Sequence, residues 1–203
     1  MKIICVGRNY AKHAAELGND VPKVPVIFLK PDTALLKSPA DFYYPDFTSD
    51  LHYECELVVR INRAGKHIKE EFAHKYYNGY CLGIDFTARD LQTSLKNSGL
   101  PWELSKGFDH SAIIGNFISV NNPISDKPIA FALRKNGQEV QVGLSSEMIF
   151  SVDRIISFVS QYFTLKVGDL IFTGTPEGIG AVAKGDILEG ILEGASNFIV
   201  KVQ

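Results

Sequence analysis

The sequence predicts a mainly β, α+β fold: a folded roll or barrel of short strands with helices on its flanks. Three observations carry this expectation. Short apolar, β-branched runs recur along the whole chain between Gly, Pro and Asn turns. Asn136-Gly137 stands between two such runs, a strong short-range hairpin signal. The one long stretch at helical spacing is Ile149, Val152, Ile155, Ile156, Val159 and Tyr162.

Composition bounds the rest. A length of 203 residues fits one domain, 1–203, with a sizeable core. Its 45% hydrophobic and 22% charged residues are ordinary for a globular protein. A net charge of -2 argues against a general nucleic-acid or anionic-membrane binder. No apolar run approaches the ~20 residues of a membrane span, and Met1 to Gly7 is too short an apolar stretch for a signal peptide. Cys5, Cys55 and Cys81 lie far apart in strand-like segments, so free buried thiols in a reducing, cytoplasmic setting are expected.

Taken in order, residues 2 to 6 form a strand. Asn9 is placed to cap a helix from Tyr10 to Leu17, which Gly18 closes. Val24 to Lys30 is the next strand, and Asp41 to Thr48 an extended edge. His52 to about Ile61 is a strand, and Ile68 to Tyr76 is helix-like. Gly79 to Phe86 is a strand, after which Thr87 is placed to cap a helix from Ala88 to Asn97 that Gly99 stops. Ser111 to Val120 is a strand. Ile129 to Arg134 and Gln138 to Val142 form the hairpin. The main helix begins at Ser145-Ser146-Glu147 and ends before Thr164. Leu170 to Thr173, Ile187 to Ile191 and Asn197 to Val202 are the last strands.

The chain is organised around His52-Tyr53-Glu54-Cys55-Glu56-Leu57-Val58-Val59. Alternation on a strand puts Glu54 and Glu56 on one face and Cys55 on the other. The pair runs straight into an apolar segment, where acidic groups need a cation. Asp85 ends another strand-like stretch. Carboxylates are hard ligands suited to Mg²⁺ or Mn²⁺, and three of them leave about three octahedral positions open. A solvated strand face, or pairing with basic side chains, is the other reading.

His13 and Glu16 are three apart and share a helix face. They form either a surface ion pair or a dyad in which Glu16 orients a basic imidazole. Lys106 is either a solvated lysine or a cation placed to stabilise an oxyanion or enolate. Gly174-Thr175-Pro176-Glu177-Gly178 is either a plain turn or a set of N–H groups and a hydroxyl free to receive a carboxylate.

The segments Gly7-Arg8-Asn9-Tyr10, Glu54-Cys55-Glu56-Leu57, Asp85 to Asp90, Lys106-Gly107-Phe108-Asp109 and Thr173 to Gly178 occur in one order. In that order the chain resembles the fumarylacetoacetate hydrolase family over nearly its whole length. The short acylpyruvate hydrolase and oxaloacetate decarboxylase branch is the most similar. The resemblance implies a mixed, curved β-sheet roll and a homodimer. It implies Mg²⁺ or Mn²⁺ on Glu54, Glu56 and Asp85, and a His13–Glu16 pair on a lid of about residues 8–22. It also implies enolate stabilisation by Lys106, and substrate contacts from Thr175, Gly174, Arg89, Gln92 and Arg8. The activity implied is hydrolytic C–C cleavage of acylpyruvates or related 1,3-diketo acids, small 2-oxo acid substrates. The alternatives are oxaloacetate decarboxylation, and tautomerisation or isomerisation of a 2-oxo acid such as 2-hydroxyhepta-2,4-diene-1,7-dioate. A metal-binding protein without catalysis is a remote one. One stretch departs from the family pattern: Ser111-Ala112-Ile113-Ile114-Gly115 replaces a Pro-x-Gly-Pro-like turn that the resemblance puts beside the far end of the pocket.

Overall fold

Strands dominate the chain, and they sort into three sheets because their apolar residues alternate. A computed structural model describes residues 1–16, 18, 20–120 and 123–203, with Ser125 as backbone only. The strands are β1 Ile3–Gly7, β2 Val26–Lys30, β3 Leu35–Lys37, β4 Leu51–Tyr53, β5 Cys55–Ile61, β6 Tyr77–Asp85, β7 Thr87–Ala88 and β8 Ala112–Ile114. They continue with β9 Ile118–Ser119, β10 Ala130–Lys135, β11 Gln138–Leu144, β12 Leu170–Phe172, β13 Gly180–Ala181, β14 Ile187–Leu192 and β15 Ala195–Lys201. The α-helices are α1 Ala11–Glu16, α2 Arg89–Asn97, α3 Glu103–Lys106 and α4 Val152–Tyr162.

The main sheet has the order β2-β1-β12-β5-β6-β8-β3, with β9 also on β6, and it curls into a half-barrel. It is mixed: β1 runs parallel to β12 and β3 to β8, while β12–β5 and β5–β6 are antiparallel. Both faces are buried. Ile4, Val6, Leu57, Val59, Leu82 and Ile84 point into the larger core. Ile3, Cys5, Val58, Cys81, Ile114 and Phe172 point the other way into a smaller one. Two-sided burial explains why these strands read as continuous apolar runs. A four-stranded antiparallel sheet, β11-β10-β14-β15, closes the larger core. The Asn136-Gly137 hairpin is present, with both residues at positive φ, 53° and 80°. The three cysteines are buried and free. Among the described residues, no helix is long and apolar enough to cross a membrane.

Several local expectations are corrected. Asn9 does not cap α1; its buried amide donates to Phe150 O and Thr173 O and accepts from Phe150 N. The same residue delays the main helix. Its carbonyl takes Ile149 N at 2.8 Å, so the backbone there is committed elsewhere. Ser145–Glu147 is a 3-10 turn, and α4 starts after Ser151, whose hydroxyl accepts from Arg154 N. Thr87 is a strand residue whose hydroxyl donates to Asp85 O, and α2 has no side-chain cap. Glu70–Tyr76 is 3-10 helix. The strand expected from Ser111 is a short buried one, Ala112–Ile114, joined to β6 and β3. The departure from the family pattern therefore lies largely inside the sheet, and none of its residues lines the cavity that His13 and Thr175 share. Leu17, the expected end of the first helix, lies outside the described residues.

Candidate active site

The site sits where the smaller core's face of the sheet turns polar. Glu54 falls between β4 and β5, and Glu56 lies on β5, opposite Gly83 of β6. Asp85 ends β6, and its N–H donates to Glu54 O at 2.8 Å. Alternation puts Glu54, Glu56 and Val58 on one face, and Cys81 and Asp85 on the same face of the neighbouring strand. One oxygen from each of Glu54, Glu56 and Asp85 lies within 4.8 Å of the others, and all three residues are buried.

Cations surround the cluster. Lys106 ends α3 and donates to Glu54 Oε2 at 2.8 Å and Asp85 Oδ2 at 2.7 Å. Arg89 opens α2 and meets Glu54 Oε1 at 2.6 Å. It also donates to Gln92 Oε1, one helical turn on. Burial alone would push the Glu54 carboxyl up, but Lys106, then Arg89, hold it well below the usual range. Burial likewise opposes the Lys106 charge, yet Asp85 and Glu54 push its pKa up to about 12. Glu56 goes the other way. Burial, then Asp85 and Glu54, raise it well above the usual range, and Lys106 and the Gly174 N–H at 2.7 Å only partly offset them.

This donor set fits a hard divalent cation. Asp85 Oδ1 is buried and accepts no hydrogen bond. Lys30 Nζ is 2.7 Å from it. That ammonium has four other acceptors, Phe86 O, Lys106 O, Ser111 O and Ser111 Oγ, for its three N–H bonds. Charge without a directed proton leaves an oxygen lone pair open to a metal. The repulsion that raises Glu56 is what such a cation would relieve.

The cavity above the cluster is tight, with a volume of about 30 Å³. Arg8, His13, Arg89, Gln92, Lys106 and Thr175 all line it, as do Phe28, Lys96 and Trp102. His13 is buried on α1, with Nδ1 3.2 Å from Glu16 Oε2. Glu16 Oε1 accepts from Gly178 N at 3.2 Å, which ties the helix to the glycine-rich loop. Arg8 takes a left-handed φ of 59° as β1 ends.

Two expectations change in detail. The Gly174 N–H is engaged by Glu56. The Thr175 hydroxyl donates to Cys55 O and accepts from Gln141 Nε2, each at 2.8 Å. Neither is a free donor. Gly174 is needed for its φ of +98°, and a Cβ there would meet Asn9 Cβ at 2.7 Å.

Two supporting residues were not anticipated. Lys30 is fully buried at the end of β2, on the same strand face as Phe28. Gln141 is buried on β11, accepts from Cys55 N and donates to Thr175 Oγ1 and Pro176 O. It thereby pins the loop after β12 to the start of β5. A lysine closing the apolar run Val26-Ile27-Phe28-Leu29 was the available signal for Lys30. Gln141 gave none.

The family model "Fumarylacetoacetate (FAA) hydrolase C-terminal" matches residues 2–203. The mitochondrial oxaloacetate tautomerase FAHD1 of Rattus norvegicus is 42% identical over 201 residues, 99% of this chain and 91% of the relative. The oxaloacetate tautomerase YcgM of Escherichia coli is 39% identical over 196 residues, 96% of this chain and 90% of the relative. Among solved structures, fumarylpyruvate hydrolase from Pseudomonas aeruginosa in complex with Mn²⁺ and pyruvate superposes with a TM-score of 0.92. It is 39% identical and covers 100% of this chain and 89% of its own.

Proposed function

The chain belongs to the fumarylacetoacetate hydrolase family of enzymes, and we propose that it takes small 2-oxo acids through an enolate with the help of a divalent cation, its reaction being keto–enol tautomerisation of oxaloacetate. One observation carries the reading: a buried ammonium, Lys106, bridges two of three converging carboxylates directly beneath the pocket that His13 borders. The curated relatives named above point to the same substrate.

Mg²⁺ or Mn²⁺ held by Glu54, Glu56 and Asp85 would supply Lewis acidity toward the 2-oxo and carboxylate oxygens. Lys106 keeps its charge in this setting and stabilises the negative charge that collects on the 2-oxo oxygen as C3 loses a proton. His13 has Nδ1 turned to Glu16, which leaves Nε2 for the substrate. Nε2 takes the C3 proton, the C–H electron pair becomes the C2–C3 double bond, and Nε2–H then gives a proton to the 2-oxo oxygen, which leaves the imidazole neutral again. Ketonisation reverses each movement. Arg89, through Glu54, and Gln141, through Thr175, hold the walls in place. The helix Ala11–Glu16 acts as the lid that brings His13 over the substrate.

A second reading has its own support. The His13–Glu16 pair is also built to activate water, which would attack the second carbonyl of an acylpyruvate and release pyruvate as its enolate. The structural relative named for fumarylpyruvate hydrolysis favours it. The chain acts as one catalytic domain in a homodimer, and the exposed Phe47 and Leu104 beside Phe108 supply an apolar face for the second copy. Light scattering at the mass of one chain would exclude the dimer. The buried free thiols suit a reducing compartment such as the cytoplasm.

The test follows oxaloacetate tautomerisation and acetylpyruvate cleavage side by side, with Mg²⁺ and with EDTA. Faster metal-dependent tautomerisation is the expected result. Faster acetylpyruvate cleavage, abolished in His13→Ala, establishes the hydrolase instead. Metal binding without turnover of either overturns both and leaves a binding protein.

A further inference from the structure

The pocket has a second positive pole. Arg8 and Lys96 are both half-buried, and both line the cavity above the carboxylates. The acids below are already matched: Glu54 by Arg89 and Lys106, Asp85 by Lys30 and Lys106. Among the described residues, Arg8 and Lys96 take part in none of the ion pairs of this region. Half-buried like charges without an acid repel each other. Burial first, then Arg8 and Arg89, lower the Lys96 pKa, and the Glu54 charge only partly offsets them.

The walls set the spacing of the two poles. Phe28 and Trp102 meet edge to face at 5.9 Å. Lys106 Nζ lies 5.2 Å from the Phe28 ring centre, and Lys96 Nζ lies 5.4 Å from that of Trp102. The aromatic pair therefore separates the lysine at the carboxylate end from the lysine at the far end. Arg8 keeps a left-handed backbone without being glycine. Asn9, tied to Phe150 and Thr173, holds that turn. Strain kept at a pocket wall marks a side chain whose placement matters.

We propose that Lys96, with Arg8 beside it, receives a second carboxylate at the far end of the substrate, so that the site selects 2-oxo dicarboxylates over 2-oxo acids with a neutral tail. This rests on the 2-oxo acid reading above. A neutral tail buries both cations unpaired, whereas a carboxylate pairs them, and such an unpaired group is an effective penalty against the wrong ligand.

The experiment compares kcat/KM for oxaloacetate with that for its 4-ethyl ester, in wild type, Lys96→Met and Lys96→Arg. The wild type prefers the dianion. Lys96→Met lowers the ratio of the two constants by about tenfold or more, the usual scale of a charged hydrogen bond, and Lys96→Arg keeps most of it. A ratio unmoved by Lys96→Met overturns the subsite and leaves the enzymatic reading standing. If the wild type turns over neither compound, the enzymatic reading falls. Calorimetry on the Mn²⁺-loaded protein with 2-oxoglutarate and 2-oxobutyrate then decides the subsite. A dianion preference lost in Lys96→Met upholds it, and equal or absent binding overturns it.

Discussion

Replacing Lys30 by Met tests how the carboxylate cluster is held together. Met has a similar length and removes the buried ammonium. The change strips the 2.7 Å contact to Asp85 and four hydrogen bonds, to Phe86 O, Lys106 O, Ser111 O and Ser111 Oγ. Removing one partner of a buried ion pair costs about 3–5 kcal/mol, because the other charge stays behind unpaired. Lys106 still reaches Asp85 at 2.7 Å, which places the cost at the lower end. Against a total stability of about 5–15 kcal/mol, that is a large share. For a chain of this size a loss of about 3 kcal/mol lowers Tm by roughly 6–12 °C. Thermal unfolding followed by circular dichroism in EDTA reads it directly. Saturating Mg²⁺ recovers part of the loss, since a cation neutralises the same Asp85. A Lys30→Met protein within ~2 °C of wild type in EDTA, or one that Mg²⁺ does not help, would refute the reasoning.

The other predictions concern charge at the site. Lys106→Ala lowers kcat/KM by about 10²–10³, the scale of one lost electrostatic contact to a developing oxyanion; full turnover would remove Lys106 from the mechanism. Because the Lys106 pKa stands at about 12, the wild-type pH–rate profile shows no limb from it below ~11, half or more of it staying charged up to its pKa. Below its raised pKa the Glu56 carboxyl holds a proton that an incoming metal must expel. Mg²⁺ affinity therefore climbs with pH through that raised value, and calorimetry in two buffers detects proton release. A pH-independent affinity contradicts it. Folding raises this carboxyl, so its contribution to metal-free stability falls as pH climbs from the ordinary carboxylate range toward the raised pKa. Mg²⁺ abolishes that fall, as thermal melts across the range would show.

Where local pattern and tertiary packing agreed, the sequence was a good guide. Glu54, Glu56 and Asp85 converge as alternation on neighbouring strands demands. The Asn136-Gly137 turn and the apolar face of α4 follow from residues close in the chain. Three of the failures, at Gln141, Asn9 and Lys30, share one cause, a polar group answering a distant partner. Gln141 is buried while its neighbour Val142 is 58% exposed, the reverse of their hydropathy. Gln141 faces inward because Cys55 N and Thr175 Oγ1 lie there. Asn9 looked like a cap and instead bonds Phe150 and Thr173, far along the chain. Lys30 looked like the solvated end of a strand, yet its charge answers Asp85 on a strand not adjacent to its own. No local window contains those partners.

The most direct test is a Mn²⁺ titration of the EDTA-stripped protein, read by electron paramagnetic resonance, with oxaloacetate turnover measured in the same samples. Wild type and Glu56→Gln are run together. The predicted result is one tight Mn²⁺ per chain, turnover that rises in proportion to occupancy, and a Glu56→Gln protein that loses both together. Full turnover in the stripped protein, or tight stoichiometric Mn²⁺ binding unaffected by Glu56→Gln, would contradict the assignment of these carboxylates as the metal centre of the enzyme.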